Sequence, residues 1–224
     1  MRLGIVGAGN IGHALAARFA AAGHEVMLSN SRGPDTLARV VAAIDGNVRA
    51  GTVAEAARFG DVVAVAIPPR AILDLPPEPF AGKIVVDANN YFPEVHGRFP
   101  ELATDEITTS ELLASLLPGA TVVKAFNAIY FARLHEESRP DLPADERLAI
   151  PVAGDDSDAK QTVLDLIDQI GFTGVDAGTL AESGRQQPGS PILAAYAESR
   201  RQGTTLTAAH LRELLAESSG GARS

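Results

Sequence analysis

The sequence predicts an α/β protein with a doubly wound, mostly parallel sheet. Apolar segments of strand length alternate with longer segments of helical periodicity, which is typical of this fold class. Residues 61–67, 84–87 and 121–125 are nearly continuous apolar runs, as expected of parallel strands covered on both faces. A glycine-rich turn directly after the first strand is the third observation, and it indicates a nucleotide-binding sheet of the Rossmann type.

The individual elements follow from the apolar periodicity and from the residues that begin or end each segment. The helix behind the first strand carries apolar residues at four-residue spacing and ends at Gly23. Further strands are predicted at residues 26–29, 48–50, 61–67, 84–87, 121–125, 148–153 and 172–176. Further helices are predicted at residues 34–44, from 111 to Pro118 and at about 207–217. A small helix is predicted to begin at a Thr52 cap, and a longer one to run from an Asp156 or Ser157 cap to Gly171. Another helix is predicted to begin at about residue 191. Residues 89–109 are predicted to be rich in loops.

The chain is predicted to divide into two units and a short end segment. Residues 1–146 are predicted to form a nucleotide-binding domain, and residues 147–217 a small C-terminal α/β domain that closes the cleft. Residues 218–224 are small and polar, so they are expected to form a flexible tail.

Composition excludes several classes of function. The chain has 224 residues, a net charge of −9 and no run of lysine and arginine, which argues against nucleic acids and anionic membrane surfaces as partners. It contains no cysteine, so disulfides and thiolate chemistry are excluded. The chain enters its first strand at once, which leaves no room for a signal peptide, and no apolar run reaches the length of a membrane span. These features predict a cytoplasmic protein.

The glycine-rich turn has the spacing of a dinucleotide-binding site. Gly7, Gly9 and Gly12 follow the first strand in the pattern G-x-G-x-x-G and open a long helix. Gly7 would permit the tight turn, Gly9 would let the backbone approach a pyrophosphate, and Gly12 would let helix and strand pack closely. The phosphates would lie at the helix N-terminus, where free N–H groups and the helix dipole favour an anion.

The end of the second strand indicates which dinucleotide binds. Sites for NAD usually carry a carboxylate about 20 residues after the glycines, where it binds the ribose 2′-hydroxyl. This chain has Asn30, Ser31 and Arg32 there, which offer hydrogen-bond donors and a guanidinium suited to a phosphate. NADP(H) is therefore the predicted cofactor. The alternative is that Arg32 is a solvated arginine in the turn before Pro34.

Other strand ends supply uncharged groups to the same edge of the sheet. Ala66, Ile67 and Pro68 end one strand and would line the cofactor groove. Amide side chains follow two later strands, and they suit hydrogen bonds to a carboxamide or a carbonyl. Asp87 either caps a turn or serves the site, and Lys124 is either solvated, paired with Asp87 or catalytic.

No acid–base constellation is evident in the sequence. The five histidines show no metal-ligand spacing, so neither a metal site nor a catalytic residue is predicted. His96 and His135 are predicted to lie in loops that could reach the cleft. An enzyme that passes a hydride between two cofactors needs positioning more than proton transfer.

These motifs together resemble a known family. The segments GAGNIGHALAARFAAAGHEVMLSNSRGP, AIPP, VVDANNYF, VVKAFN, VAGDD and IGFTGVDAGTL fall in the order found in NADPH-dependent reductases of the deazaflavin coenzyme F-420. The resemblance covers roughly residues 1–195, and the segment RQQPGSP is similar to a bacterial subgroup. It implies a hydride transferred directly between NADPH and F-420. It also implies a cofactor site formed by Gly7, Gly9, Asn10, Ile11, Gly12, Asn30, Ser31, Arg32, Ala66, Ile67, Pro68, Asn89, Phe126 and Asn127.

Two other functions remain open on the sequence. The protein could use NADPH to reduce a small carbonyl, an imine or a flavin-type acceptor, or it could be a non-catalytic NADP-binding redox sensor. A homodimer is predicted from the apolar face of the C-terminal helices. Ile192, Leu193 and Tyr196 are the candidates for that interface, and they could equally close the core of the single chain.

Overall fold

The fold is organised around one sheet, which a computed structural model describes for residues 1–102 and 107–219. Its eight strands are ordered β3-β2-β1-β4-β5-β6-β7-β8. All neighbouring strands are parallel except β6 and β7. The strands are β1 Arg2–Val6, β2 Glu25–Ser29, β3 Val48–Gly51, β4 Val62–Val65, β5 Ile84–Asp87, β6 Thr121–Lys124, β7 Ala149–Gly154 and β8 Thr173–Asp176.

Helices cover both faces of this sheet. They are α1 Asn10–Ala21, α2 Ala38–Ala42, α3 Val53–Phe59, α4 Pro93–His96, α5 Thr109–Leu116, α6 Phe131–Glu136, α7 Ser157–Gln169, α8 Pro191–Gln202 and α9 Ala208–Ser219. Successive strand residues face opposite sides, so Ile5 packs in the core with α1 and α7 whereas Val6 packs in the core with α3 and α5. The predicted fold class, a doubly wound and mostly parallel Rossmann-type sheet, is confirmed.

The register brings the carboxyl ends of five strands into one row. Val6 of β1 is paired with Ser29 of β2 and with Val65 of β4, and the row continues through Asp87 of β5 to Lys124 of β6. The strand order reverses between β1 and β4, and a crevice forms at such a switch point outside the strand ends. The predicted binding residues follow these ends.

The C-terminal strands extend the same sheet. Residue 146 lies before β7, and β7 joins the sheet antiparallel to β6 through Val123 opposite Gly154 and Lys124 opposite Ala153. Strand β8 then adds to β7 in parallel. The division into domains at residues 146 and 147 stays a prediction, as does the tail, of which residues 220–224 lie outside the described part of the chain.

Two helices differ from their predicted form. The helix predicted at 34–44 is a 3-10 turn, Pro34–Leu37, followed by the short α2, and the buried Leu37 and Ile44 hold the two ends of this segment against the core. Helix α6 was not predicted, since it has six residues and no capping side chain. Asp156, rather than Ser157, caps α7 by accepting a hydrogen bond from the Ala159 N–H.

The apolar face of α8 closes the core of the chain. Ile192 is fully buried, and Tyr196 is buried with its hydroxyl donating to the Ala149 carbonyl at 2.5 Å. Burial raises the pKa of this hydroxyl, which keeps it a neutral donor. Ile192 and Tyr196 were candidates either for a dimer interface or for the core of the single chain, and the structure shows them in the core. The homodimer stays a prediction.

Across the described residues, no helix combines the length and apolar character that crossing a membrane requires.

Candidate functional site

The glycine loop after β1 is held by close backbone contacts. Gly7 has a φ of 110°, and a Cβ there would lie 2.1 Å from the carbonyl oxygen of Ala66. A Cβ on Gly12 would lie 1.8 Å from the Gly7 carbonyl oxygen. Both positions therefore need glycine for the fold of the loop itself, in agreement with their predicted structural roles.

Gly9 differs from Gly7 and Gly12, because the fold leaves room for a side chain at this position. A Cβ at Gly9 would meet no atom of the described residues within 4 Å, and the residue is exposed. Gly9 is also the N-cap of α1, and no side chain caps this helix. The first N–H groups of α1 therefore face open space, where an anion such as a pyrophosphate would be bound and oriented.

Two cavities lie along the row of strand ends. The first has a volume of about 480 Å³. It is lined by Val6, Gly7, Ala8, Gly9, Asn30, Ser31, Arg32, Val53, Ala66, Ile67, Pro68, Ala71, Asp74, Leu75 and Pro76. The second, of about 360 Å³, is lined by Gly9, Asn10, Ile11, Ala66, Ile67, Pro68, Pro69, Ala88, Asn89, Asn90, His96, Asn127, Ile129, Tyr130 and Phe131. Because both are lined by Gly9 and by residues 66–68, they form the two halves of one cleft.

In the first cavity, Asn30 organises the loop that presents Arg32. The Asn30 side chain accepts from the Arg32 backbone N–H at 2.9 Å and donates to the Thr36 hydroxyl at 2.9 Å. The Arg32 side chain is exposed, and within residues 1–102 and 107–219 its guanidinium makes no hydrogen bond or ion pair. Arg32 therefore offers all of its side-chain donors to a ligand, whereas Asn30 acts mainly through the loop.

In the second cavity, the predicted amides are bound to each other or to the backbone. The Asn89 side chain accepts from the Ile67 N–H at 2.8 Å, which joins the ends of β4 and β5. Asn127 donates to Asn90 at 3.0 Å and to the Gln186 carbonyl at 2.6 Å, and it accepts from the Gln186 side chain at 3.1 Å. Asn127 therefore lines the cavity but holds the C-terminal segment against the strand ends.

Asp87 and Lys124 form a buried ion pair beneath this cavity. Both side chains are fully buried, and the ammonium lies 3.0 Å from the carboxylate. The ammonium also donates to the Asn89 carbonyl at 2.5 Å, and the carboxylate accepts from the Asn89 N–H and the Ser110 hydroxyl. Of the roles left open in the sequence, the structure shows a turn-capping Asp87 paired with Lys124, and this pair fixes the backbone of Asn89.

Phe126 is the one predicted site residue whose side chain leaves the cleft. Its φ is 63°, and its ring is buried in the core edge-on to Phe19, with centroids 6.3 Å apart. The Phe126 ring therefore lies outside the two cavities, and a contact of Phe126 with the cofactor stays a prediction. A positive φ is rare for an aromatic residue, so the sequence pattern could not reveal the turn of the chain at this point.

The two histidines predicted to lie in loops are both on helices, and they differ in their position relative to the cleft. His96 ends α4 and lines the second cavity, where its Nδ1 accepts from the Phe92 N–H. His135 lies on α6 and faces His13 of α1, with ring centroids 5.5 Å apart. Burial, then the neighbouring charges of His13 and Arg18, lower the pKa of His135, so it favours the neutral form in the folded protein.

Sequence reasoning missed several residues of the second cavity. Tyr130 and Phe131 precede or begin α6, and their rings lie 4.5 Å apart at the wall of the cavity. Gln186 does not line the cavity, but it binds the lining residue Asn127 from a segment about 60 residues further along the chain. Of these residues, the aromatic pair could have been found from the sequence, since it lies shortly after the predicted strand end at Phe126 and Asn127.

The first part of the chain matches a protein-family model. A family model described as "NADP oxidoreductase coenzyme F420-dependent" matches residues 2–91. The matched segment contains the glycine loop, the Asn30–Arg32 loop and the end of β4, so it covers the lining of the first cavity.

Two curated relatives and one solved structure are similar over longer parts of the chain. The metalloreductase STEAP3 of Rattus norvegicus is 32% identical over 193 residues, which is 85% of this chain and 36% of that protein. The F420-dependent NADP reductase of Methanocaldococcus jannaschii is 31% identical over 145 residues, 62% of this chain and 63% of that protein. The chain thus spans less than two thirds of the length of either relative. The crystal structure of a hypothetical protein from Sinorhizobium meliloti is 37% identical, with a TM-score of 0.73, and covers 87% of this chain and 93% of that one.

Proposed function

Since the chain belongs to the F420-dependent NADP reductase-like family, we propose that it transfers a hydride directly between NADPH and the deazaflavin coenzyme F-420. The family is one of NADP-dependent oxidoreductases, and NADPH supplies the hydride when it is bound. The residues of this chain would bind the two molecules, orient them face to face and exclude water between them.

The main observation behind this proposal is the open space at Gly9, which lies in the same cavity as the unpaired guanidinium of Arg32. A pyrophosphate fits where a Cβ at Gly9 would meet nothing, and a 2′-phosphate fits the guanidinium of Arg32 at the end of β2. No carboxylate takes the place of the residue that binds the ribose hydroxyl in NAD sites. The proposed cofactor contacts are Gly7, Gly9, Asn10, Ile11, Gly12, Ser31, Arg32, Ala66, Ile67, Pro68 and Asn89, with Asn30 and Asn127 positioning the loops around them.

The second cavity suits the hydride-transfer end of the cleft. Its lining offers amides and aromatic rings, and the fully buried Lys124 lies behind the Asn89 backbone, neutralised by Asp87. The cavity therefore presents little charge that would disturb a hydride passing between two rings. This arrangement supports transfer between cofactors, which needs positioning rather than a proton relay.

The direct test of the proposal is reduction of F-420 by NADPH. We expect the purified protein to remove the visible absorbance of F-420 when NADPH is saturating, and to do so far more slowly with NADH. If F-420 is not reduced while a carbonyl, an imine or a flavin is, the acceptor assignment is wrong and the NADPH assignment stands. Tight NADPH binding without turnover of any of these acceptors would instead favour the redox sensor.

Arg32→Ala is expected to remove the preference for NADP. The loss of a charge-assisted hydrogen bond costs about 1–3 kcal/mol, so the ratio of NADP⁺ to NAD⁺ affinity should fall by about 5- to 150-fold. The affinities are measured by titration calorimetry, with Arg39→Ala as the control because Arg39 is exposed on α2 and lines neither cavity. An unchanged ratio in Arg32→Ala would show that Arg32 is only a solvated turn residue.

A further inference from the structure

Tyr130 links the cleft to a second part of the surface. Its ring lines the second cavity and remains 43% exposed. The guanidinium of Arg200, on α8, lies 4.0 Å from the centroid of this ring. In the part of the chain that the structure describes, the Arg200 guanidinium makes no hydrogen bond or ion pair, so its N–H donors are available while the contact with the ring holds it in place.

Behind Arg200 lies a third cavity, of about 320 Å³, which we call the basic cavity. Its charged lining residues are Arg133, Arg139, Arg147, Arg200, Glu137 and Glu146. The whole chain has a net charge of −9, so a cavity with more arginines than carboxylates is an exception on this surface.

Two of the four arginines are already neutralised. Arg133 binds Glu137 through two hydrogen bonds, of 2.5 and 2.7 Å, and is buried. Arg147 pairs with Asp168 at 2.7 Å.

Arg139 and Arg200 keep donors for a ligand. Arg139 is exposed, and among the described residues only its Nη1 donates hydrogen bonds, to the carbonyls of Glu136 and Ser138. Glu146 is the one carboxylate in the lining that faces them without an ion pair among the described residues. Against one carboxylate, these two guanidiniums without an ion pair leave the basic cavity with an excess of positive charge.

The basic cavity is within reach of a molecule bound in the cleft. Helix α6 begins beside the second cavity at Phe131, and Arg133 of the helix and Glu137 directly after it line the basic cavity. At 1.5 Å per residue, the rise from Tyr130 to Arg133 is about 4.5 Å and the rise to Glu137 is about 10 Å. A short flexible substituent on a ring held at Tyr130 would span that distance.

We propose that the hydride acceptor carries an anionic substituent, a phosphate or a carboxylate, that binds to Arg200 and Arg139 in the basic cavity while its ring lies against Tyr130. This rests on the function proposed above and adds two specificity-determining residues to it. The planar fork of a guanidinium matches both of these anions, and the ring contact holds Arg200 in place for them. The same site could take a free phosphate ion, so the test separates the two sources.

The test compares F-420 with its phosphate-free ring and ribityl core, which share the ring that accepts the hydride. We expect Arg200→Gln to raise the Kd and KM for F-420 by about 10- to 100-fold, the loss of one charge-assisted hydrogen bond. The phosphate-free core and NADPH should bind as they do to the wild type. Binding is measured by equilibrium dialysis with NADP⁺ present, so the readout does not depend on turnover.

Arg201→Gln is the matched control, because Arg201 is the next residue of α8, pairs with Glu198 and does not line the basic cavity. Arg200→Lys should recover part of the affinity for F-420, since it keeps the charge and loses the fork. The affinity of the wild type for F-420 should also fall with added salt more steeply than that of Arg200→Gln.

Equal losses for F-420 and for its phosphate-free core would overturn the proposal, because they would mean that Arg200 only supports the Tyr130 ring. Inorganic phosphate that binds through Arg200 without competing with F-420 would also overturn it, in favour of a site for a free anion. Arg200-dependent binding of F-420 without any reduction by NADPH would refute the proposed function and leave the anion contact standing.

Discussion

Lys124→Ala is expected to lower the free energy of unfolding by about 3–5 kcal/mol, the usual cost of leaving one member of a buried ion pair without its partner. Lys124 and Asp87 are both fully buried, and the ammonium also holds the Asn89 carbonyl and the Thr109 hydroxyl. Its removal strands the Asp87 carboxylate in the interior with only neutral donors around it. The measurement is urea unfolding followed by circular dichroism, with the slope compared between variants.

The matched control is Arg2→Ala, because Arg2 and Asp61 form an ion pair at 2.7 Å whose side chains are 53% and 43% exposed. An exposed pair contributes about 1 kcal/mol or less, so this variant should be close to the wild type. Asp87→Asn combined with Lys124→Met removes both charges and keeps the side-chain oxygen, and it should recover much of the lost stability. If Lys124→Ala cost no more than Arg2→Ala, the pair would not be a structural element of the site.

Gly12→Ala is expected to destabilise the protein by about 3 kcal/mol or more, at or above the upper end for overpacking. The added Cβ would lie 1.8 Å from the Gly7 carbonyl oxygen, which belongs to the backbone of the loop and cannot rotate away as a side chain would. Helix α1 must then shift from β1, and the cofactor site is lost together with stability. Thermal unfolding and NADPH titration would record both losses in the same variant.

Gly9→Ala is the contrasting variant, since its Cβ meets nothing in the described protein. The poorer N-cap should cost about 1 kcal/mol at most. NADPH affinity should fall by about tenfold or more, because the methyl group occupies the space proposed for the pyrophosphate. A Gly9→Ala protein that binds NADPH as the wild type does would contradict the placement of the phosphates, and a stable Gly12→Ala protein would contradict the close packing of the loop.

Most of the sheet could be predicted because its signals are local. The apolar runs at 61–67 and 121–125 contain β4 and β6, and the glycine spacing after β1 placed the start of α1. The antiparallel pairing of β7 with β6 could not be predicted, because it depends on two residue pairs between distant segments. Helix α6 could not be predicted for a related reason. It is short, and its contacts with α1 stabilise it more than the helix propensity of its own residues does.

The sequence was sufficient to predict which strand ends form the candidate site, but not what each side chain there does. The loops after β1, β2 and β4 were expected at one cavity, and the structure brings them together there. The use of each side chain could not be predicted. Asn30 and Asn127 have amide groups that could bind a ligand, but these groups form hydrogen bonds with Thr36 and Gln186 instead. Such choices depend on which partners the tertiary fold brings within hydrogen-bond distance.

The antiparallel contact between β6 and β7 also covers an edge of the parallel part of the sheet. Without β7, the outer side of β6 would expose a row of backbone donors and acceptors, and an open strand of this kind recruits other strands. The strand is short, and its one charged side chain, Lys124, is buried against Asp87, so no charge on the surface of β6 would discourage such pairing. The C-terminal segment therefore covers an edge that β6 would otherwise expose, and it does so through Ala153 and Gly154 at the end of β7.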